Sequence, residues 1–166
     1  MEKFTLPAGF DAGERAEMAR KNFLDGYNCC QAVLLAFTDV LGITPGTAAT
    51  VASGFGGGMG RLREVCGTVS ALTIASGYIH PACDPSIKSD RTANYAIVQE
   101  LAGAFKEENG SIVCRELLGI SSKAKESPVP SDRTNEYYRK RPCAELAGCS
   151  ARILAEKLIR MSQEQA

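Results

Sequence analysis

Helix starts and glycine stops punctuate this chain from end to end, and no segment between them alternates apolar and polar residues as a hairpin-bounded strand would. Asp11, with Glu14 three positions on, opens a helix that runs to about Leu24 and stops at Gly26. Asn28, with Gln31 in the reciprocal capping position, opens a second, largely buried helix that ends at Gly42. Thr44 followed by Pro45 starts a third that reaches about Ser53, because proline loses nothing at a first helical position. Further helices are expected from Cys66 to Ile79, from Ser89 or Asp90 to Asn109, and from Pro142 to about Met161. Shorter ones are expected around Cys114, capped by Ser111, and over Arg133 to Arg139. The chain therefore reads as all-α, a compact bundle of six or seven helices forming a single domain over residues 1–166.

Composition narrows the function. With 166 residues and 45% apolar content the chain can fill one core. Lys plus Arg and Asp plus Glu both number 19, so no global field draws in nucleic acid or an anionic membrane. The longest mainly apolar stretch, Val69 to Ile79, falls short of the roughly 20 residues that span a bilayer, so no membrane insertion is expected. The N-terminus turns polar within a dozen residues, without the apolar run of an export signal, and a cytoplasmic location follows as an expectation. Ser121 to Asp132, rich in Ser, Pro and charge, reads as the most mobile internal loop.

Against this background cysteine stands out, with seven in a chain that has one His. In a reducing cytosol clustered cysteines serve metal binding or redox chemistry more often than structural disulfides, and an odd count argues against a complete disulfide framework. Cys29, Cys66, Cys114 and Cys143 each fall within about the first turn of an expected helix. There the unpaired N–H groups and the helix dipole favour thiolate over thiol, which suits both nucleophiles and metal ligands. Cys30 points about 100° away from Cys29 and reads as core. Cys149 falls on another face of the last helix, and His80 and Cys83 read as loop residues. The loop GFGGGMGRLRE, Gly54 to Glu64, lacks GxGxxG, GK[ST] and a preceding strand, so no nucleotide is expected there. It reads as a tight connection whose backbone N–H groups, with Arg61 and Arg63, can serve the neighbouring Cys66.

Gly26-Tyr27-Asn28-Cys29-Cys30-Gln31-Ala32-Val33, the glycine loop Gly54 to Gly60, Cys66-Gly67-Thr68-Val69-Ser70-Ala71, Cys114-Arg115-Glu116-Leu117-Leu118-Gly119 and Cys143 together resemble the C_GCAxxG_C_C family over about Phe23 to Leu146. Thr68 stands where that family usually has Ala, and Ala71 where it usually has Gly. The resemblance implies a redox-active or electron-transfer protein, an oxidoreductase or electron carrier. Its implied ligand set for an iron–sulfur cluster is Cys29, Cys66, Cys114 and Cys143, with Gly56, Gly57, Gly58 and Gly67 close to the bound group. The absence of CxxCH excludes covalent c-type haem. The rival reading is a metal-free thiol–disulfide protein with Cys66 as attacking thiolate, working with a redox partner protein or a small thiol. A four-thiolate zinc site lacks its usual CxxC pairs. An interaction protein completes the alternatives, with Gly67, Ala71 and Ala75 as a close-packing stripe that could build a homodimer.

Overall fold

A computed structural model describes residues 5–121 and 126–164. Among the described residues the chain is all-α, without a strand. Its nine α-helices are α1 (Ala12–Leu24), α2 (Cys29–Leu35), α3 (Thr38–Leu41), α4 (Pro45–Ala52), α5 (Gly67–Ile79), α6 (Lys88–Asn109), α7 (Cys114–Leu117), α8 (Asn135–Lys140) and α9 (Cys143–Glu164). Of the loop expected to be mobile, residues 122–125 lie outside the described residues.

The caps explain most of these boundaries. The Asp11 carboxylate accepts the Glu14 N–H at 2.9 Å. Asn28 Oδ1 accepts from Cys30 and Gln31 at 3.0 and 2.9 Å, while Gln31 Oε1 takes the Asn28 N–H at 3.0 Å. Gly42 and Gly110 close α3 and α6 in the left-handed conformation. Two starts differ from expectation: α6 begins at Lys88 without a side-chain cap, and α7 begins at Cys114, with Ser111 Oγ accepting the Val113 N–H just ahead of it.

The helix expected from Asn28 to Gly42 is broken. Ala36 and Phe37 donate to Val33 and Leu34 in a tightened last turn, and Phe37 O then starts α3 by accepting from Val40 and Leu41. Arg15, reaching from α1, explains why the break is stable. Its Nη1 donates to the freed Ala36 carbonyl at 2.6 Å, and its fork grips Asp39 at 2.6 and 2.7 Å. Its guanidinium lies over Phe10 at 4.6 Å and Phe37 at 5.7 Å.

One continuous apolar cluster joins the longer helices. Helix α2 is its hub, packed by α1, α4, α5 and α9, and α1 lies along α9. On α9 the buried Leu146, Ala147, Ala151, Leu154, Ala155 and Leu158 follow helical spacing, so one stripe faces the core. The small residues Gly67, Ala71 and Ala75 of α5 are also buried, and α5 packs on α2. The stripe therefore serves packing within the chain, which corrects its reading as a dimer contact. No described helix is long and apolar enough to cross a membrane.

Candidate functional site

The four cysteines at helix starts are held by different devices. Cys29 is the first residue of α2, and the Asn28 that caps it also donates from Nδ2 to Ala52 O at 3.3 Å and Ser53 O at 3.0 Å. The start of α2 is thereby tied to the end of α4. Cys66 is the N-cap residue of α5, Cys114 the first residue of α7 and Cys143 the first of α9. Cys66 and Cys114 are tied together by a feature that sequence reasoning missed, an isolated antiparallel bridge between Val65 and Val113. The Cys66 N–H donates to Ile112 O at 2.8 Å, and the Cys114 N–H donates to Glu64 O at 2.6 Å. Two residues paired in isolation leave no alternating pattern to read.

The glycine loop folds into a left-handed coil in which Gly57, Gly58, Met59, Gly60 and Arg61 all have φ between +57° and +68°. Such a run is costly for residues with a Cβ, and glycine fills three of its five positions. Close approach adds a second requirement. A Cβ on Gly58 would stand 2.6 Å from Cys114 Cβ, and one on Gly56 would stand 2.8 Å from Asn28 Cβ. At Gly67 a Cβ would run into Cys29 Sγ and lie 2.8 Å from Phe55 O.

Cys29, Cys66, Cys114 and Cys143 line one cavity of about 360 Å³, together with Gly56, Gly57, Arg61, Arg63, Arg133 and Arg141. Burial dominates the protonation of Cys29, Cys66 and Cys143. It pushes the Cys29 thiol above its ordinary value, against the backbone N–H groups of Gly57, Cys30 and Gly67, which favour the thiolate. Cys66 is pushed up to about 12 by burial and by the neighbouring Cys29, although Thr68 opposes the shift with its N–H and with Oγ1, 3.3 Å from Cys66 Sγ. Cys143 is pushed up to about 11, again chiefly by burial. At Cys66 burial therefore works against the thiolate that a helix start favours.

Arg63 supplies the nearest full charge. It is 3% exposed, and its Nη1 approaches Cys114 Sγ at 3.9 Å. Its Nη2 pairs with Glu126 at 2.6 Å, whereas its buried Nε has no partner. Arg61 shares Glu126 at 3.1 Å and donates from Nε to Ser127 O at 2.8 Å. Together they strap the segment from Glu126 onward across the site, where Pro128, Pro130 and Ser131 join the cavity wall.

The remaining cysteines lie elsewhere. Cys30 is fully buried in the core and Cys83 is exposed. Cys149 sits between α6 and α9, where it accepts from Asn109 Nδ2 at 3.3 Å and faces Glu108 and Arg152. All seven are free thiols. Among the described residues no three His, Cys, Asp or Glu side chains are spaced to hold a single metal ion. Four cysteines nevertheless line one cavity, peptide N–H groups face Cys29, and Arg63 adjoins Cys114 with a donor to spare, the surroundings that an anionic group held by thiolates would need.

Comparison with protein-family profiles matches residues 27–157 to the one described as "Putative redox-active protein (C_GCAxxG_C_C)". No curated protein and no solved structure matches the chain.

Proposed function

The chain belongs to the C_GCAxxG_C_C family of redox-active proteins, and from that premise we propose that it is a small electron-transfer protein in which Cys29, Cys66, Cys114 and Cys143 hold an iron–sulfur cluster. The observation that carries this reading is the convergence of those four helix-start side chains on one cavity. When bound, such a cluster supplies reversible one-electron chemistry. The chain's own residues set the conditions for it. Gly58 and Gly67 keep Cβ atoms away from Cys114 and Cys29, Gly56 and Gly57 let the loop close on Asn28 and Arg61, and the N–H groups of Gly57 and Gly67 face Cys29. Thr68 Oγ1 is within hydrogen-bonding reach of Cys66, and the Arg63 guanidinium offsets negative charge at Cys114. Burial favours the protonated form of Cys29 and Cys66, so loading would release protons as their thiolates form. The setting we assign is the cytoplasm, with a redox partner protein to take the electron.

The test is anaerobic reconstitution with iron and sulfide. The expected product is brown, holds about two or four irons per chain and gives an electron paramagnetic signal in one redox state. Loss of the colour in each of Cys29→Ser, Cys66→Ser, Cys114→Ser and Cys143→Ser, with Cys149→Ser unaffected, would assign the ligands. Colourless, iron-free protein overturns the cluster reading. If oxidation then shields a pair of these thiols from alkylation, the metal-free thiol–disulfide reading takes its place.

A further inference from the structure

We propose that the cysteine-lined cavity is also a binding site for a small carboxylate-bearing molecule with an apolar body, held by Arg133 and Arg141. The proposal deepens the redox reading above and rests on it for the role of the cysteines.

Charge is the first argument. Among the described residues Arg61, Arg63, Arg133 and Arg141 line the cavity, and no Asp or Glu does. Glu126 pairs with Arg61 and Arg63, and its charge also reaches Arg141. Neither Arg133 nor Arg141 makes an ion pair with a carboxylate among the described residues, so the four arginines have one carboxylate between them in contact.

Geometry is the second. The Arg133 guanidinium lies 4.6 Å from the Phe23 ring centre and 4.9 Å from that of Tyr137, and Arg141 lies 4.7 Å from Tyr137 on its own account. Stacking engages the faces of a guanidinium and leaves the in-plane N–H fork, which matches a carboxylate bidentately. Arg133 spends one such donor, from Nη2 to Tyr27 O at 3.3 Å. The Arg63 Nε, buried and unpartnered in the same wall, is a further donor without an acceptor.

The cavity has the size and lining of a small-molecule site. Its volume of about 360 Å³ falls within the usual range for such sites, and Phe23, Leu117, Leu118 and Leu146 supply apolar wall. Arg133 is exposed and Arg141 half-buried, while Cys29, Cys66 and Cys114 are buried. A ligand's carboxylate would therefore meet arginines near the mouth, with its apolar body against Phe23, Leu117, Leu118 and Leu146 and outside the space between the sulfurs.

Calorimetric titration of the full chain with benzoate and hexanoate tests this, with methyl benzoate as the uncharged counterpart and sulfate as an anion without an apolar body. Both acids are expected to bind saturably, and more tightly than methyl benzoate or sulfate. Arg141→Gln and Arg133→Gln should each weaken binding about tenfold, and Arg141→Lys less, with thermal melting nearly unchanged in the Arg141 variants and lowered in Arg133→Gln, which also loses its contacts with Tyr27, Phe23 and Tyr137. No saturable binding of either acid, equal binding of methyl benzoate or of sulfate, or unaltered affinity in Arg141→Gln would each overturn the proposal. The titration is run on iron-free and on reconstituted protein. Acid binding without iron uptake sinks the cluster reading and leaves this site standing, and iron uptake without acid binding does the reverse.

Discussion

Gly58 carries two constraints that no other residue type meets. Its φ of +67° costs a residue with a Cβ roughly 1–2 kcal/mol. The Cβ itself would also collide with Cys114 Cβ and stand 2.8 Å from the backbone nitrogen of Glu64, which cannot yield without loosening the bridge to Val113. Gly58→Ala should therefore lower stability by at least ~2 kcal/mol in urea melts and speed alkylation of Cys114 in the folded protein. Gly103 is the contrast: it lies inside α6 with open space around it and no positive φ, so Gly103→Ala should add about 0.5–1 kcal/mol. A loss of the same size at both positions would show that the loop conformation is not what requires glycine at position 58. Of this, the sequence revealed that glycine was needed near Cys66. It could not reveal which glycine backs which sulfur, because Gly58 backs Cys114 and Gly67 backs Cys29 across the fold.

At the scale of elements, local chemistry and remote contacts part company. The boundaries at Asn28, Pro45 and Gly110 were legible because each cap is made by residues within a few positions of it. The break after Leu35 was not, since its freed carbonyl is satisfied by Arg15 from another helix. Cys29 was legible as a helix start for the same local reason, whereas the Val65 to Val113 bridge that ties Cys66 to Cys114, and the strap from Glu126, depend on pairings far apart in the chain. The Arg15–Asp39 pair gives the break a pH signature. The Arg15 hydrogen bond holds the Asp39 carboxyl below its usual range, although burial opposes the shift. A depressed folded pKa means that the contribution is present above the unfolded value, about 3.9, and is lost as pH falls through the folded one. Asp39 is 47% exposed in its side chain, so solvent screening limits the pair to about 0.5–1 kcal/mol. Asp39→Asn should cost that much at neutral pH in urea melts, and the gap from the parent should narrow below about pH 4. A gap independent of pH would mean that the carboxylate charge plays no part in holding the break.

At the scale of the whole molecule, the core and the cysteine-lined cavity share a wall, and Cys29, Cys66 and Cys114 are buried there with Cys143 half-buried beside them. That arrangement makes the metal-free chain sensitive to alkali. Burial raises Cys29, takes Cys66 to about 12 and takes Cys143 to about 11, from an ordinary value of 9.0. The unfolded chain ionises these thiols near their ordinary value, while the folded chain resists until much higher pH. The unfolded state therefore binds fewer protons over that window, and stability falls as pH rises through it. Below the ordinary value both states hold the protons and the thiols contribute no slope. The melting temperature of reduced, metal-free protein should accordingly decline between about pH 8.5 and 10, and decline less steeply in the double variant Cys66→Ala, Cys143→Ala. Lysines titrate toward the end of the same range, but they are common to both proteins and leave the difference intact. Parallel declines in the parent and the double variant would mean that burial does not hold these sulfurs protonated, and the desolvation argument for their low thiolate fraction would fall with it.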